Sequence, residues 1–556
     1  MSFDSLHMAA SALRSQNVAM NVASRNLTGS SEPGYTRQVA TFSDEHSAPA
    51  GRFSQNIEGL GTRISGVLRV RSELLDTAYR DAASTHQEIQ APESHLAYLE
   101  VRLSADPSLS SLLQDLNISL AQLQGDPGNL GLRQSYFRKL GQATAQLRSY
   151  DSAVVENQAS TRADLGQRVE QANSLLQRLA ELNPRIVAAQ RDTTGSNQML
   201  DQRDRFLDEL SGLMDVQVLT QPAGNVDVLA NGSQLLSLNR AEKLTLEPDN
   251  SLKNSAGNLV NVSGGSIASL QQYANQELPD LRQQLNQLAS SWISQANEVH
   301  RRTYGLDGVT GRDLLTGTDA STINLALQDP RQLGHAVAQV TGTNFATTAL
   351  ISDQPLSSQA AALSVPATNS GVMQINGVSV AWNDGQSLQQ VLDSLQVAGV
   401  RASYRPTTGK VVLERDPTQA GPSDITVTDS SGNLSVVLGL AGQPSLVGGQ
   451  GDSNGLAALD QRMRSATFGP GADRTLQQSF RDIQSNVGGS LQTRRQSGQS
   501  ALTALESAQA ARSSISGVSS DEELLAVTRM EQAFAAAAKI ATVADEMLTT
   551  LMQMGR

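Results

Sequence analysis

Along the first thirty residues, Phe3, Leu6, Ala10, Leu13, Asn17, Met20, Ser24 and Leu27 are spaced alternately three and four apart, the signature of one seam of a long helix. The far end repeats the pattern more strongly. Val527, Met530, Phe534, Ala537, Ala541, Ala544, Leu548 and Leu551 alternate strictly, and Ile540, Val543 and Met547 widen the stripe. Ser520, Asp521, Glu522 and Glu523 stand where capping oxygens and acidic groups suit the positive end of a helix. A lone amphipathic helix of about 25–30 residues is marginal in water unless its apolar face finds a partner. Two readings follow from periodicity: ordinary core helices of two domains, or a coiled coil between the two ends with the rest of the chain inserted between them.

Between these ends the period changes several times. Glu32-Pro33-Gly34 and Gly59-Leu60-Gly61 punctuate an extended stretch from Ser31 to Gly66. Helical spacing then runs from Glu73 to Leu213, broken at Asp106-Pro107, at Gly125 to Gly128 and near Thr194-Gly195. Val216 and Val218 alternate with polar residues before Gln221 to Asn225 turns the chain and Val226 and Val228 resume, which predicts a hairpin. Short strand-like pieces continue to Val262, and Leu270, Leu278, Leu281, Leu285, Leu288 and Trp292 restore a helix ending near His300. Alternation at Gly371 to Val380 and Lys410 to Leu413, with Ile425, Val427, Val436 and Val437 following, predicts a second β region on which a helix around Leu388 to Leu395 packs. Helical spacing returns from Leu456 to Ala511.

The expected fold is therefore α+β and multidomain, elongated, with discontinuous domains. Terminal coiled-coil helices span 1–30 plus 520–556, and an extended connector spans 31–72. A helical-bundle domain is assembled from 73–213, 266–314 and 455–519, with a small β insertion at 214–265 and an outer β domain at 363–450. The nearly palindromic order places the termini at one end of the molecule and the β domains at the other.

Composition narrows the chemistry. The 556 residues set a prior of about three or four domains. Aromatics are only 3% of the chain, which favours helical packing over a ring-lined pocket. The absence of cysteine removes disulfides, thiolate metal sites and thiol nucleophiles. His7, His46, His86, His95, His300 and His335 are scattered, with no short metal-binding tract. A formal charge of -12 is the wrong sign for binding nucleic acid or an anionic membrane surface. No run reaches the roughly 18–20 apolar residues of a membrane span. Met1 to Ala12 lacks the parts of a cleaved secretory signal, which taken alone points to a soluble cytoplasmic protein.

Candidate catalytic chemistry is thin. Gly409-Lys410 runs into Val411, so it is not a phosphate-binding loop, and no nucleophile elbow or dinucleotide fingerprint appears. Asp201, Asp204 and Asp208 share one helical face and could act as paired carboxylates in acid–base work, but Arg203 and Arg205 among them make a solvated, salt-bridged face the expected reading. Asp307 to Asp313 faintly suggests a calcium loop, yet it lacks alternate oxygen ligands and a closing Glu, so a turn is expected. No catalytic residue, cofactor or metal is assigned.

The ends of the chain resemble a known group. Asn21 to Ala23, Asn26, Leu27 and Gly34-Tyr35-Thr36-Arg37-Gln38 are similar to the N-terminal signature of bacterial flagellar axial proteins. Ser516 to Ser519, Asp521 to Leu524, Glu531 to Phe534 and Ala538-Lys539-Ile540 are similar to the C-terminal one. Asn197 to Asp204, Leu210, the Val216 hairpin with Ala230-Asn231-Gly232, Gly264-Gly265-Ser266, Ala296 to His300 and Gly305 to Gly308 resemble the flagellar hook-associated protein 1 family, the hook–filament junction proteins. The resemblance spans all but Leu315 to Val365. It departs where the family commonly has Asn and this chain has Arg25, Gly29 and Ser31.

The resemblance implies a non-enzymatic structural subunit joining hook to filament, with paired terminal helices lining an inner tube and β domains outward. It implies as partners the hook protein, a second hook-associated protein on the filament side, further copies of the chain, and an export chaperone on the C-terminal helix. It also implies synthesis in the cytoplasm and type III export to the extracellular flagellum, which overturns the cytoplasmic reading. The expected assembly interface is Leu6, Leu13, Met20, Leu27, Val527, Met530, Phe534, Leu548 and Leu551. A hook or filament subunit of the same superfamily, or an adhesin or enzyme carried on the β domains, remain as alternatives.

Overall fold

The computed structural model describes residues 2–32, 34–46, 59–189, 196–469 and 471–554. The chain opens with helix α1 (Ser2–Gly29), then strands β1 (Gln38–His46) and β2 (Gly59–Arg69), then helices α2 (Glu73–Gln90), α3 (Glu93–Ser104), α4 (Leu109–Gly125), α5 (Leu130–Ala189) and α6 (Ser196–Leu213). Short strands follow: β3 (Gln217–Thr220), β4 (Val226–Ala230), β5 (Ser233–Ser237), β6 (Arg240–Ala241), β7 (Thr245–Leu246) and β8 (Leu252–Lys253). Helix α7 (Gly265–Gln272) runs through a π turn into α8 (Leu278–His300). Next come β9 (Leu315–Thr316), β10 (Asn324–Leu325), β11 (Ala338–Thr341), β12 (Ser370–Ile375), β13 (Val378–Asn383), α9 (Leu388–Leu395), β14 (Val400–Arg405), β15 (Lys410–Arg415), β16 (Val427–Ser431), α10 (Leu434–Val437) and β17 (Leu446–Val447). Helices α11 (Asn454–Arg464), α12 (Leu476–Ser516) and α13 (Ser520–Met554) close the chain. The architecture is α+β and multidomain, and among the described residues no helix is long and apolar enough to cross a membrane.

The helix breaks fall where the sequence has breakers. Asp106-Pro107 separates α3 from α4, whose first turn is capped by the Ser108 hydroxyl accepting from the Ser111 amide at 3.3 Å. Gly125 to Gly128 separates α4 from α5. The expected break at Thr194-Gly195 lies outside the described residues.

Two compact units emerge. The first comprises Met1–Ala97, Gln158–Glu277 and Ser490–Arg556. Its core joins Leu165, Val169, Leu176 and Leu179 of α5 to Leu207 and Leu210 of α6, to Val226, Val228, Leu235 and Leu236 of the small sheet, and to Ile267 and Leu270 of α7. Polar contacts fix the sheet on α5. Asn183 accepts from the Val226 amide at 3.2 Å and donates to the carbonyls of Val226 at 2.8 Å and Leu238 at 2.7 Å. These bonds satisfy strand-end groups that burial would otherwise orphan. Gly265, with φ +74°, lets α7 begin against the α6 terminus, where a Cβ would lie 2.6 Å from the Leu213 carbonyl carbon.

The second unit comprises Tyr98–Asn157 and Leu278–Gly489. Here two sheets, β14-β15-β11-β17 and β13-β12-β16, enclose one apolar core with α9. The β12–β13 hairpin turns through Asn376 and Gly377, both at positive φ (54° and 80°), as a tight two-residue connection requires. Two details differ from the sequence pattern. Val436 and Val437 lie in α10, not in a strand, because the Asp429 carboxylate accepts from the Ser435 amide and hydroxyl and turns the chain into a helix. The first sheet also recruits Ala338–Thr341 from ahead of the alternating region, pairing it with β15 and β17.

Candidate assembly interface

Helices α1 and α13 pack against each other, and α1 packs on its other side against the β1–β2 hairpin. The two neighbours explain two buried stripes. Ser15 and Asn26 face the hairpin: the Ser15 hydroxyl donates to the Thr62 carbonyl at 2.8 Å, and Asn26 donates to the Gln38 carbonyl at 2.8 Å and accepts from its amide at 3.0 Å. The other stripe carries half-buried Leu6, Leu13, Gln16, Met20 and Leu27 with buried Ala9 and Ala23. Asn17 and Ser24, which the seven-residue pattern also admits, are exposed.

On α13 the seam is Glu523, Val527, Met530, Phe534, Ala537, Ala541, Ala544 and Leu548. Only Glu523, Ala537 and Ala544 are fully buried, and Val527, Met530, Phe534 and Leu548 remain half-buried. The Leu551 side chain lies outside the described residues. A second apolar stripe is left largely uncovered by the described residues. Ile540 is 55% exposed, Met547 58% and Met554 81%, with Val543 between them. Apolar side chains repeating at helical spacing on an open face mark a surface made for another partner.

The join between the helix pair and the hairpin is closely fitted. The Tyr35 hydroxyl donates to Asn26 at 2.9 Å, and the Tyr35 ring covers Gly29, where a Cβ would come within 2.6 Å of the ring. That contact accounts for glycine at one of the positions where the chain departs from the family pattern. Burial pushes the Tyr35 hydroxyl up to about 12, so it stays protonated as a donor. Arg37 binds Glu523 at 2.8 Å and its amide donates to the Ser516 carbonyl at 2.9 Å, tying the start of the hairpin to the start of α13.

Beneath the hairpin sits a buried charge network. Arg69 and Arg71 both meet Asp204 at 2.5 Å. Arg69 also approaches Asp201 at 2.8 Å, and Arg71 holds Asp76 through two bonds of 2.7 Å. Asp208 pairs with Arg80 at 2.8 Å and Arg512 at 2.7 Å, and the Arg512 guanidinium stacks 3.7 Å from the centre of the Tyr79 ring. The Asp201–Asp208 face is thus buried and matched mainly to arginines distant in sequence, in place of the solvated local pairing expected. Burial pushes the Asp204 carboxyl up, but Arg69, Arg71 and Arg203 together hold it below its ordinary value. For Asp201, burial outweighs Arg69 and Thr36, and its carboxyl is raised. Carboxylates already saturated by guanidinium groups have a structural use: they fix β2, α2, α6 and α12 to one another around the base of the hairpin.

Asp307 closes a turn rather than a cation loop. It accepts from the Val309 amide at 3.2 Å and from Arg312 at 2.5 Å, and Gly308 takes a φ of +72°.

The model of the flagellar hook-associated protein FlgK helical domain matches residues 99–315. Flagellar hook-associated protein 1 of Escherichia coli (strain K12) is 24% identical over 573 residues, covering 99% of each chain. The protein of the same name from Salmonella typhimurium is 24% identical over 576 residues, again covering 99% of each. That of Bacillus subtilis (strain 168) is 27% identical over 364 residues, 58% of this chain and 71% of the relative. The solved flagellar hook junction protein FlgK from Burkholderia pseudomallei superposes with a TM-score of 0.58 at 16% identity, over 80% of this chain and 100% of its own, and so shares the fold.

Proposed function

We propose that this chain, similar along its whole length to flagellar hook-associated protein 1, is a structural subunit of the bacterial flagellum at the junction between hook and filament. The observation that carries the reading is the whole-length match to proteins of that name, joined to a terminal helix pair whose second apolar stripe is left largely uncovered by the described residues. The family implies association with hook and filament components and a place in the flagellum.

Assembly works in this reading by completing the terminal pair. In one chain, α1 covers a single stripe of α13, which leaves Val527, Met530, Phe534 and Leu548 half-covered and Ile540 and Met547 open. Neighbouring subunits supply the missing cover, and the burial gained offsets the ordering of both helices. Heterologous contacts that do not close on themselves extend into a tubular lattice. The terminal segments 1–30 and 520–556 then form the inner part of the junction and the β-rich regions its outside. The immediate partners are the hook protein below, a second hook-associated protein above, and, before export through the type III apparatus, a chaperone on the C-terminal helix.

Deleting the gene in its host tests the role. The expected result is hooks without filaments by electron microscopy, with filament protein shed into the medium. Normal filaments would overturn it.

A further inference from the structure

We propose that the segment Pro330–Val337, which leads into the four-stranded sheet of the second unit, is an acid-labile latch held in place by two neutral imidazoles, so that their protonation releases it. The segment is clamped from several sides. The Arg133 guanidinium, fully buried on α5, donates to the Pro330 carbonyl at 3.3 Å and the Leu333 carbonyl at 2.7 Å, as well as to Pro127 at 2.6 Å. His300, at the end of α8, donates from Nδ1 to the Arg312 carbonyl at 2.7 Å and accepts at Nε2 from the Gly334 amide at 3.0 Å. His335 donates from Nδ1 to the Tyr304 carbonyl at 2.9 Å.

The fit leaves little room for rearrangement. A Cβ on Gly334 would collide with the Thr303 hydroxyl, and one on Gly455 would lie 2.9 Å from the His335 carbonyl, which accepts from the Gly455 amide at 2.8 Å. Val337 continues directly into β11, with its amide on the Asp452 carboxylate at 2.9 Å.

In the neutral Nδ1–H form both ring nitrogens of His300 are satisfied, Nδ1–H by the Arg312 carbonyl and Nε2 by the Gly334 amide. A proton at Nε2 removes the acceptor of the Gly334 N–H; the Gln332 carbonyl favours the charged ring, but burial outweighs it. For His335 the second nitrogen is buried without a hydrogen-bond partner, so a proton there has no acceptor. The charged surroundings are mixed. Arg312 and Asp313 lie near His300; Arg133 and Asp452 lie near His335; and Asp307 faces Arg133. Burial is the largest influence on each imidazole and pushes both below the ordinary value, and Arg133 adds to this at His335. Burial likewise lowers the Arg133 guanidinium to about 10, so this interior resists further positive charge. A depressed imidazole favours folding in its neutral form. Its contribution is complete above the ordinary imidazole value of about 6.5 and is lost as pH falls below that toward the lower folded value.

The molecule carries its own reporters, because its two tryptophans, Trp292 on α8 and Trp382 on β13, both lie in the second unit. Urea unfolding of the full chain, followed by tryptophan fluorescence at several pH values between 7.5 and 5, tests the latch. The wild-type midpoint should fall across this window, and His300→Gln with His335→Gln should remove at least half of that fall. An equal fall in the double variant would overturn the proposal. A measurement on the unaltered chain gives a second test. In imidazole 15N NMR spectra, His300 should keep its neutral Nδ1–H form at pH 6 while the tryptophan fluorescence is native. A His300 ring that titrates like free imidazole with the fluorescence still native would contradict the latch.

Discussion

Helix α9 and helix α13 show how differently this chain treats its apolar residues. In only eight residues α9 buries Leu388, Val391, Leu392 and Leu395 almost completely, and Ser387 and Gln390 cap it reciprocally. Over 35 residues α13 fully buries only Ala537 and Ala544 among its described apolar side chains, while Ile540, Val543 and Met547 stay open. Among the described residues the apolar face of α9 is covered, and much of the apolar surface of α13 is not. A helix with an amphipathic face and incomplete cover gains its remaining stability on docking.

The sharpest way to break that contrast is truncation. Removing 520–556 should abolish filament attachment in complemented cells, yet leave the tryptophan-monitored urea transition of the second unit unmoved, since both tryptophans lie outside the terminal pair. Retained attachment, or a shifted transition, would show that the two helices are not so different.

Within the first unit, Asp204→Asn should cost about 3–5 kcal/mol by far-ultraviolet circular dichroism in urea, because it strips a buried carboxylate from Arg69 and Arg71. Asp201→Asn should cost much less, since the Asp201 carboxyl is raised on folding. The pH signs are opposite. The Asp204 contribution is complete above the ordinary carboxylate value of about 3.9 and is lost as pH falls through its lower folded value, whereas protonating Asp201 favours the fold. Equal costs for the two substitutions would contradict this assignment.

A more direct comparison of the two helices pairs Leu392→Ala with Leu548→Ala. Emptying the α9 site should cost about 2–5 kcal/mol, while the half-buried α13 site should cost under about 1 kcal/mol in the free chain and still impair attachment.

The heptad of α13 was legible because its small and apolar residues recur without interruption from Val527 to Leu548. That of α1 was only half legible. Leu6, Leu13, Met20 and Leu27 stand seven apart, so either Ala10, Asn17 and Ser24 or Ala9, Gln16 and Ala23 can complete the pattern, and only the positions of the hairpin and α13 select the second set. The charge network was hidden for a different reason. Asp204 and Arg69 are 135 residues apart, and no local spacing rule links them, so nearby Arg203 and Arg205 suggested a solvated face instead. The β11 strand was equally silent, because four residues hold too little alternation and take their identity from the partners on either side.

Amide hydrogen exchange along Val527–Leu548, compared between the free chain and the chain in isolated hook–filament junctions, tests the central claim most directly. Completion of α13 by neighbouring subunits predicts weak protection in the free chain, rising about 100-fold or more in the junction, as about 3 kcal/mol of added local stability requires. Equal protection in both states would contradict it.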